Sequence, residues 1–270
     1  MRKLIFICIL FVCHSLSAQY GATHTLGGRS NGVANASVGF TGINSIFNNQ
    51  AGLADLDKMG FLISTEQRFL LSELNSFGGG FALPTQSGTF GLSVHYFGFE
   101  QYNESKIGLS YARKLMEKLS VGVQFDMLRT QITEYGSSNL FTFEVGLQAE
   151  LIENLLIGIH LYNPVRLEII EDEFLPTVLR AGATYTASKK LMLHTEIEKD
   201  LDFPFIFKAG IEYELVQNFW MRVGVNTNPT SLSFGLGYKM KNGLSFDLAS
   251  NYHQELGFTP GIGVLFELGK

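Results

Sequence analysis

From residue 60 onward the chain repeats a five-residue pattern: apolar, glycine, apolar, small or polar, apolar. Copies read FGLSV from Phe90, IGLSY from Ile107, VGVQF from Val121, VGLQA from Val145 and IGIHL from Ile157. The pattern returns from Ala181, Ala209, Val223, Phe234 and Ile262. Alternation with period two turns successive side chains to opposite faces, so each copy predicts a β-strand. Leu119, Val121, Val123, Phe125 and Met127 share one face, against Ser120, Gly122, Gln124 and Asp126 on the other. Phe207, Ala209, Ile211 and Tyr213 likewise oppose Lys208, Gly210, Glu212 and Glu214. The apolar face runs for about ten residues per strand, the length a tilted strand needs to cross hydrocarbon.

A soluble sandwich shows the same alternation, with apolar faces turned to a core and polar faces to water. Three features favour a membrane barrel: uniformly long strands, a polar face rich in glycine, and turns of two alternating classes. Exposed glycines weaken a strand for no return; inside a barrel they leave room for a filling segment or for curvature. Tight links fall at 114–118, 153–154, 188–190, 217–218 and 241–243. Longer, acidic or proline-containing links fall at 100–104, 129–139, 162–176, 199–204, 228–230 and 250–257. Short periplasmic turns and longer outer loops are the pattern of outer-membrane barrels. The expected fold is therefore all-β, an antiparallel transmembrane β-barrel of about fourteen strands, give or take about two, over residues 59–270. An even number places both termini in the periplasm. The longest link carries Glu168, Glu171, Asp172 and Glu173, which read as a solvated surface tip.

Composition agrees. The chain has 29 Gly, 23 Phe and 10 Tyr with only 17% charged residues, which suits packed strands better than helices. A mean hydropathy of +0.14 is low for a helical membrane protein. Residues 1–18 read as a signal peptide. Arg2 and Lys3 precede an apolar run over 4–13, and Ser15-Leu16-Ser17-Ala18 offers small residues for cleavage after Ala18. The run is short for a membrane anchor, and a lipoprotein signal would want a small residue where Val12 precedes Cys13. Cys8 and Cys13 both lie in this segment, so the mature chain would hold no disulfide and no thiolate metal site. Without Arg2 and Lys3, 18 of the 20 basic residues remain against 25 acidic ones, a balance that disfavours nucleic acid.

Residues 19–58 do not alternate. Gly27-Gly28-Arg29-Ser30-Asn31-Gly32 is turn-rich, an alanine- and serine-containing stretch follows, and Ile46-Phe47 leads into Asn48, Asn49, Gln50, Ala51, Gly52 and Leu53. This lead resembles the N-terminal signature of FadL-like outer-membrane barrels, including their PorV/PorQ relatives in Bacteroidetes. There a glycine-rich lead, an alanine-serine stretch and an Asn-Pro-Ala-Gly-Leu motif precede the first strand. Asn49, Ala51, Gly52 and Leu53 match, and Gln50 stands where the family usually has proline. The resemblance implies a fourteen-stranded barrel whose N-terminal segment plugs the lumen. It also implies one of two functions: passive uptake of hydrophobic small molecules, or a non-conducting scaffold or shuttle role in type IX protein secretion. A plug makes physical sense, because a barrel of about fourteen strands is too wide for its own side chains to fill. A disordered leader would instead leave Phe40, Ile43, Ile46, Phe47 and Leu53 exposed.

Glu66, Arg68, His95, Glu144, Arg180, His194, Glu196 and Arg222 form an expected lumen polar cluster, able to pair with the backbone of the plug. His95, His160 and His194 share lumen-facing parity with Glu196 and Glu198. Polar filling of a wet lumen is the simpler reading than a metal site. No Ser-His-Asp arrangement stands out, Asp126, Ser137, Asp247 and His253 being the residues left from which one could be assembled, and no glycine loop opens a helix. No enzyme, cofactor or metal is expected. The expected partners are outer-membrane lipid with either hydrophobic small molecules or secretion-system proteins. Three successive glycines, Gly78-Gly79-Gly80, weaken a ladder. In the fatty-acid transporters of this resemblance a gap in the wall lets apolar substrates leave sideways, which makes residues 77–81 a candidate wall kink. The plainer alternative is a curvature device or a contact surface for the plug. Phe97, Tyr102, Tyr135, Phe174 and Phe258 are candidates for the outer mouth by their places in or beside loops.

Overall fold

The computed structural model describes residues 26–170 and 173–268. The expected signal peptide, with Glu171 and Asp172 of the acidic tip, lies outside the described residues. The strands, in chain order, are β1 (Gly60–Gln67), β2 (Asn75–Thr85), β3 (Gly88–Gly98), β4 (Tyr102–Met116), β5 (Leu119–Ile132), β6 (Gly136–Ile152), β7 (Leu155–Tyr162), β8 (Glu168–Ile170) and β9 (Glu173–Phe174). They continue with β10 (Val178–Ser188), β11 (Leu191–Asp200), β12 (Ile206–Val216), β13 (Phe219–Asn226), β14 (Ser231–Lys239), β15 (Leu244–His253) and β16 (Gly257–Glu267).

Fourteen of these close into one antiparallel barrel, each paired with its neighbours in sequence. β7 pairs with β10 across the link that holds the β8–β9 hairpin, and β1 pairs with β16 from Gly60 opposite Glu267 to Glu66 opposite Gly261. Closure leaves no edge with unpaired backbone groups, the condition for a strand wall in hydrocarbon. The outward face is apolar around the ring. Phe125 on β5 faces out beside Leu109 of β4 and Phe143 of β6, and Phe125 and Phe141 are 69% and 68% exposed. So large a continuous apolar surface is foreign to a water-soluble monomer. Among the described residues no helix is long and apolar enough to cross a membrane.

The two turn classes sit at opposite ends. Gly60, Glu267 and the tight hairpins share one end. Four of these hairpins carry a register shift beside the turn, in the β4–β5, β6–β7, β10–β11 and β12–β13 pairs. The other end differs from expectation in its link lengths. Residues 129–139 were expected as a loop, yet β5 and β6 run on until only 133–135 connect them, pairing Arg129 with Asn139 and Thr130 with Ser138. Polar residues hide this extension, because a ladder that rises clear of lipid has no apolar face to show. The link over 163–177 is more than a solvated tip: Leu175 is fully buried with Leu128 and Tyr162, and Leu167 and Ile169 pack against them.

Residues 26–56 run against the inward face. The closest approaches fall at wall glycines. A Cβ on Gly146 would lie 2.0 Å from Asn49 Oδ1, on Gly158 2.3 Å from the Val38 carbonyl oxygen, and on Gly210 2.5 Å from Val33 Cβ. The recurring inward glycine therefore makes room for backbone passing at van der Waals distance. Ile43, Ile46, Leu53 and Leu56 bury against Leu62, Ala82, Ala112 and Leu265, wall residues near the short-turn end.

Candidate functional site

The stretch 48–53 owes its residue types to this packing. Asn49 caps a short 3-10 helix, Gln50–Asp55, its Oδ1 accepting from the Ala51 N–H at 3.2 Å. Its Nδ2 donates to the Val38 carbonyl at 2.8 Å and to those of Leu147 and Ile159 at 3.3 Å, which ties the helix start to the wall. Asn48 Oδ1 accepts from Ser37 Oγ at 2.9 Å. A Cβ on Gly52 would lie 2.2 Å from the Phe40 carbonyl oxygen, and Ala51 passes over Gly122. Leu53 is fully buried in the apolar cluster at the short-turn end.

The expected lumen residues divide into separate networks. On the β4–β7 side, buried Glu144 takes Lys106 Nζ at 2.8 Å and Gln124 Nε2 at 3.2 Å on one oxygen. Its other oxygen takes Gln50 Nε2 at 2.8 Å and lies 2.9 Å from His160 Nε2. Across β10–β12, Glu196 binds Arg180 through both oxygens, at 2.8 and 2.9 Å, and Lys208 Nζ at 3.0 Å. The same carboxylate accepts the backbone N–H groups of Ser37 and Val38 at 2.9 and 2.8 Å. Arg180 also donates to the Asn48 carbonyl at 2.9 Å, and Lys208 reaches Glu198 at 2.6 Å. Beyond them, Glu212 lies between Arg29 of the N-terminal segment, at 2.8 Å, and Arg222, which continues to Asp247 at 2.6 Å.

Four of the expected residues stand elsewhere. Glu66 pairs with Arg68 at 3.0 Å where β1 leaves the wall, with the Arg68 guanidinium 4.8 Å from the Phe97 ring. His194 lies edge-on to Phe40 with Nδ1 3.0 Å from Thr184 Oγ1, and His95 is buried on β3. Among the described residues no group of three or more His, Cys, Asp and Glu has the geometry to hold a metal ion. Lys106, Lys208, Glu212 and Asp247 carry these networks yet stood outside the expected cluster, although the alternation already puts Lys208 and Glu212 on the polar face of their strand. The signal that could have found them is the inward parity they share with Glu144, Glu196 and Arg222.

Gly78, Gly79 and Gly80 pair without a register shift to both β1 and β3, so the wall has no break there. Gly78 and Gly80 face inward, where a Cβ would meet Leu26 at 2.2 Å and Ile46 at 2.8 Å; Gly79 faces outward with nothing within 4 Å.

Between the N-terminal segment and the long-link end lies a cavity of about 330 Å³. Phe47, Tyr162, Val178, Phe203 and Ile206 form its apolar wall, and Lys106, Glu144, Arg180, Glu198, Asp200 and Lys208 its polar lining. The aromatic residues expected at the mouth are not among those lining it. Phe97 is buried under Arg68, Tyr135 stands in the 133–135 link, Phe174 packs under Arg166, and Phe258 pairs with Tyr252. Tyr102 hydrogen-bonds Glu104. Nearness to a loop says nothing of which face a ring takes.

No family model matches the chain, and no curated protein is similar to it in sequence. Solved structures are similar in fold. The toluene transporter TbuX of Ralstonia pickettii superposes with a TM-score of 0.71 at 13% identity, over 90% of this chain and 98% of that one. A FadL homologue of Pseudomonas aeruginosa gives 0.67 at 12% identity over 91% and 99%, and the P. putida toluene transporter TodX 0.67 at 11% over 93% and 99%. The fold is that of the FadL-type barrels.

Proposed function

We propose that this chain, exported and freed of residues 1–18, is an outer-membrane channel for passive uptake of small hydrophobic molecules, with residues 19–58 as its plug. The observation that carries this reading is the cavity of about 330 Å³, walled by Phe47, Tyr162 and Phe203 and placed on the long-link side of the packed N-terminal segment. An apolar cavity of about 150 Å³ already admits benzene, so the space suffices for a ring with a short arm. The outward apolar belt fits a lipid-embedded wall, and the similar solved structures include two described as toluene transporters. Nothing in the geometry or in the comparisons favours the secretion-scaffold alternative. Lateral exit would start at residues 77–81, where β2 has no inward side chain from Gly78 to Gly80 and leans on Leu26 and Ile46 instead.

Native mass spectrometry of protein extracted gently from its own membrane tests the reading. Small apolar adducts displaced by added toluene are expected, together with toluene flux into vesicles that carry the protein. Stoichiometric protein partners without any such adduct, and no flux, would overturn it.

A further inference from the structure

The cavity has an uneven charge balance. Three cations line it, Lys106, Arg180 and Lys208, and each already sits within 3.0 Å of a carboxylate oxygen: Lys106 on Glu144, Arg180 on Glu196, and Lys208 on Glu196 and Glu198. Asp200 is the carboxylate left over. It continues the inward row of Glu196 and Glu198 on β11, is 6% exposed, and lines the cavity. Its Oδ1 accepts the Asp202 N–H at 3.2 Å, and among the described residues no cation lies within ion-pair distance of it. The neighbouring Lys199 is turned to the Leu201 and Phe203 carbonyls. A recessed carboxylate without a counter-charge is costly, and a cation brought beside it lowers that cost. Phe203, whose N–H donates to the Asp200 carbonyl oxygen at 3.3 Å, lines the same cavity, as do Phe47 and Tyr162. A carboxylate next to aromatic rings is the chemistry that recognises an ammonium group.

We propose that the cavity selects an amine: an ammonium head paired with Asp200, on an apolar body of ring size held among Phe47, Tyr162 and Phe203. This rests on the reading of the barrel as a small-molecule channel and narrows its substrate class. A free carboxylate, such as a fatty acid, meets the opposite situation. Every lining cation is already engaged, and its own charge adds to that of Asp200.

The test uses the full mature chain in detergent and three ligands of equal body: 2-phenylethylamine, 2-phenylethanol and phenylacetate, titrated calorimetrically near neutral pH. The amine is expected to bind about tenfold tighter than the alcohol, with the carboxylate weakest. Asp200→Asn should erase the amine's advantage and leave the alcohol within about twofold, which is also the check that the variant is folded. Phenylacetate binding as tightly as the amine, an unchanged order in Asp200→Asn, or no binding of any of the three would each overturn the assignment. Toluene flux separates this failure from that of the channel itself. If flux persists without an amine preference, only the selectivity falls; if flux is also missing, the channel reading falls with it.

Discussion

Glu196 is where the wall and the N-terminal segment are most strongly joined, and Glu196→Ala is the sharpest test of that joint. Its carboxylate is fully buried and accepts from Arg180, Lys208 and the Ser37 and Val38 amides, all at 2.8 to 3.0 Å. Removing it leaves Arg180 without its bidentate partner and two segment N–H groups without acceptors. Breaking a buried ion pair from one side costs about 3–5 kcal/mol. The closed ladder does not depend on this side chain, so the loss falls on the packed state of residues 26–56. At about 1.4 kcal/mol per decade, the released state should rise by roughly two to three and a half orders of magnitude. Hydrogen exchange at Ser37 and Val38 should accelerate accordingly, and planar-bilayer recordings should show long openings rare in the parent. Glu198→Ala is the control: Glu198 is one-fifth exposed and its close partner is Lys208, so about 1 kcal/mol or less is expected. Circular dichroism should show an intact barrel in both variants. If Glu196→Ala leaves exchange and conductance unchanged, or if Glu198→Ala opens the lumen equally, the anchor argument is wrong.

Gly158→Val drives a Cβ to 2.3 Å from the Val38 carbonyl and should lower thermal stability by about 1–3 kcal/mol while raising conductance. Gly79→Val points into open space and should leave stability nearly unchanged; unchanged uptake as well would end the idea of a lateral opening at 77–81. Phe125→Arg places a charge in the middle of the outward belt and should cost about 2–4 kcal/mol in vesicle-based unfolding; no loss there would count against a lipid-facing wall. Gln50→Pro deletes the 2.8 Å bond to Glu144, worth about 1.5–3 kcal/mol, against a gain of roughly 0.4–1 from the stiffer unfolded chain. A net drop of about 1–2 kcal/mol in chemical denaturation is expected, and an equally stable variant would show that the bond contributes nothing.

The barrel was legible because a lipid-facing strand must alternate strictly. Phe90, Leu92 and Val94 face out, and Ser93 and His95 in, as the period-two reading requires. Strand number followed from the two turn classes, since a closed antiparallel ring returns to the same end after every second strand. Legibility stopped where the environment changed. Above the lipid the ladder between β5 and β6 continues through Thr130, Gln131, Ser137 and Ser138 with no apolar face, and so resembled a loop. Leu175 and Leu128 form a rim core that depends on a hairpin folding back, which no local pattern announces.

The lumen was legible in parity and not in azimuth. Parity puts Glu144, Arg180, Glu196 and Arg222 on one face, and all four are buried, but which of them meet depends on strand stagger, a property of the closed sheet. That is why eight expected residues became several networks, and why Glu212, on the polar face by parity, gained its place in one only when Arg29 and Arg222 were seen on either side of it. Gln50 shows the same limit from the segment's side. Proline is admissible there on backbone grounds, because Asn49 is extended and Gln50 opens the short helix. The exchange becomes intelligible only with Glu144 opposite, its oxygens shared among Lys106, Gln124, His160 and the Gln50 amide. A proline would withdraw one donor from a buried carboxylate. Gln50 instead ties the turn to Glu144, which lines the cavity, so the chain's one departure from the motif lies one hydrogen bond away from the proposed solute site.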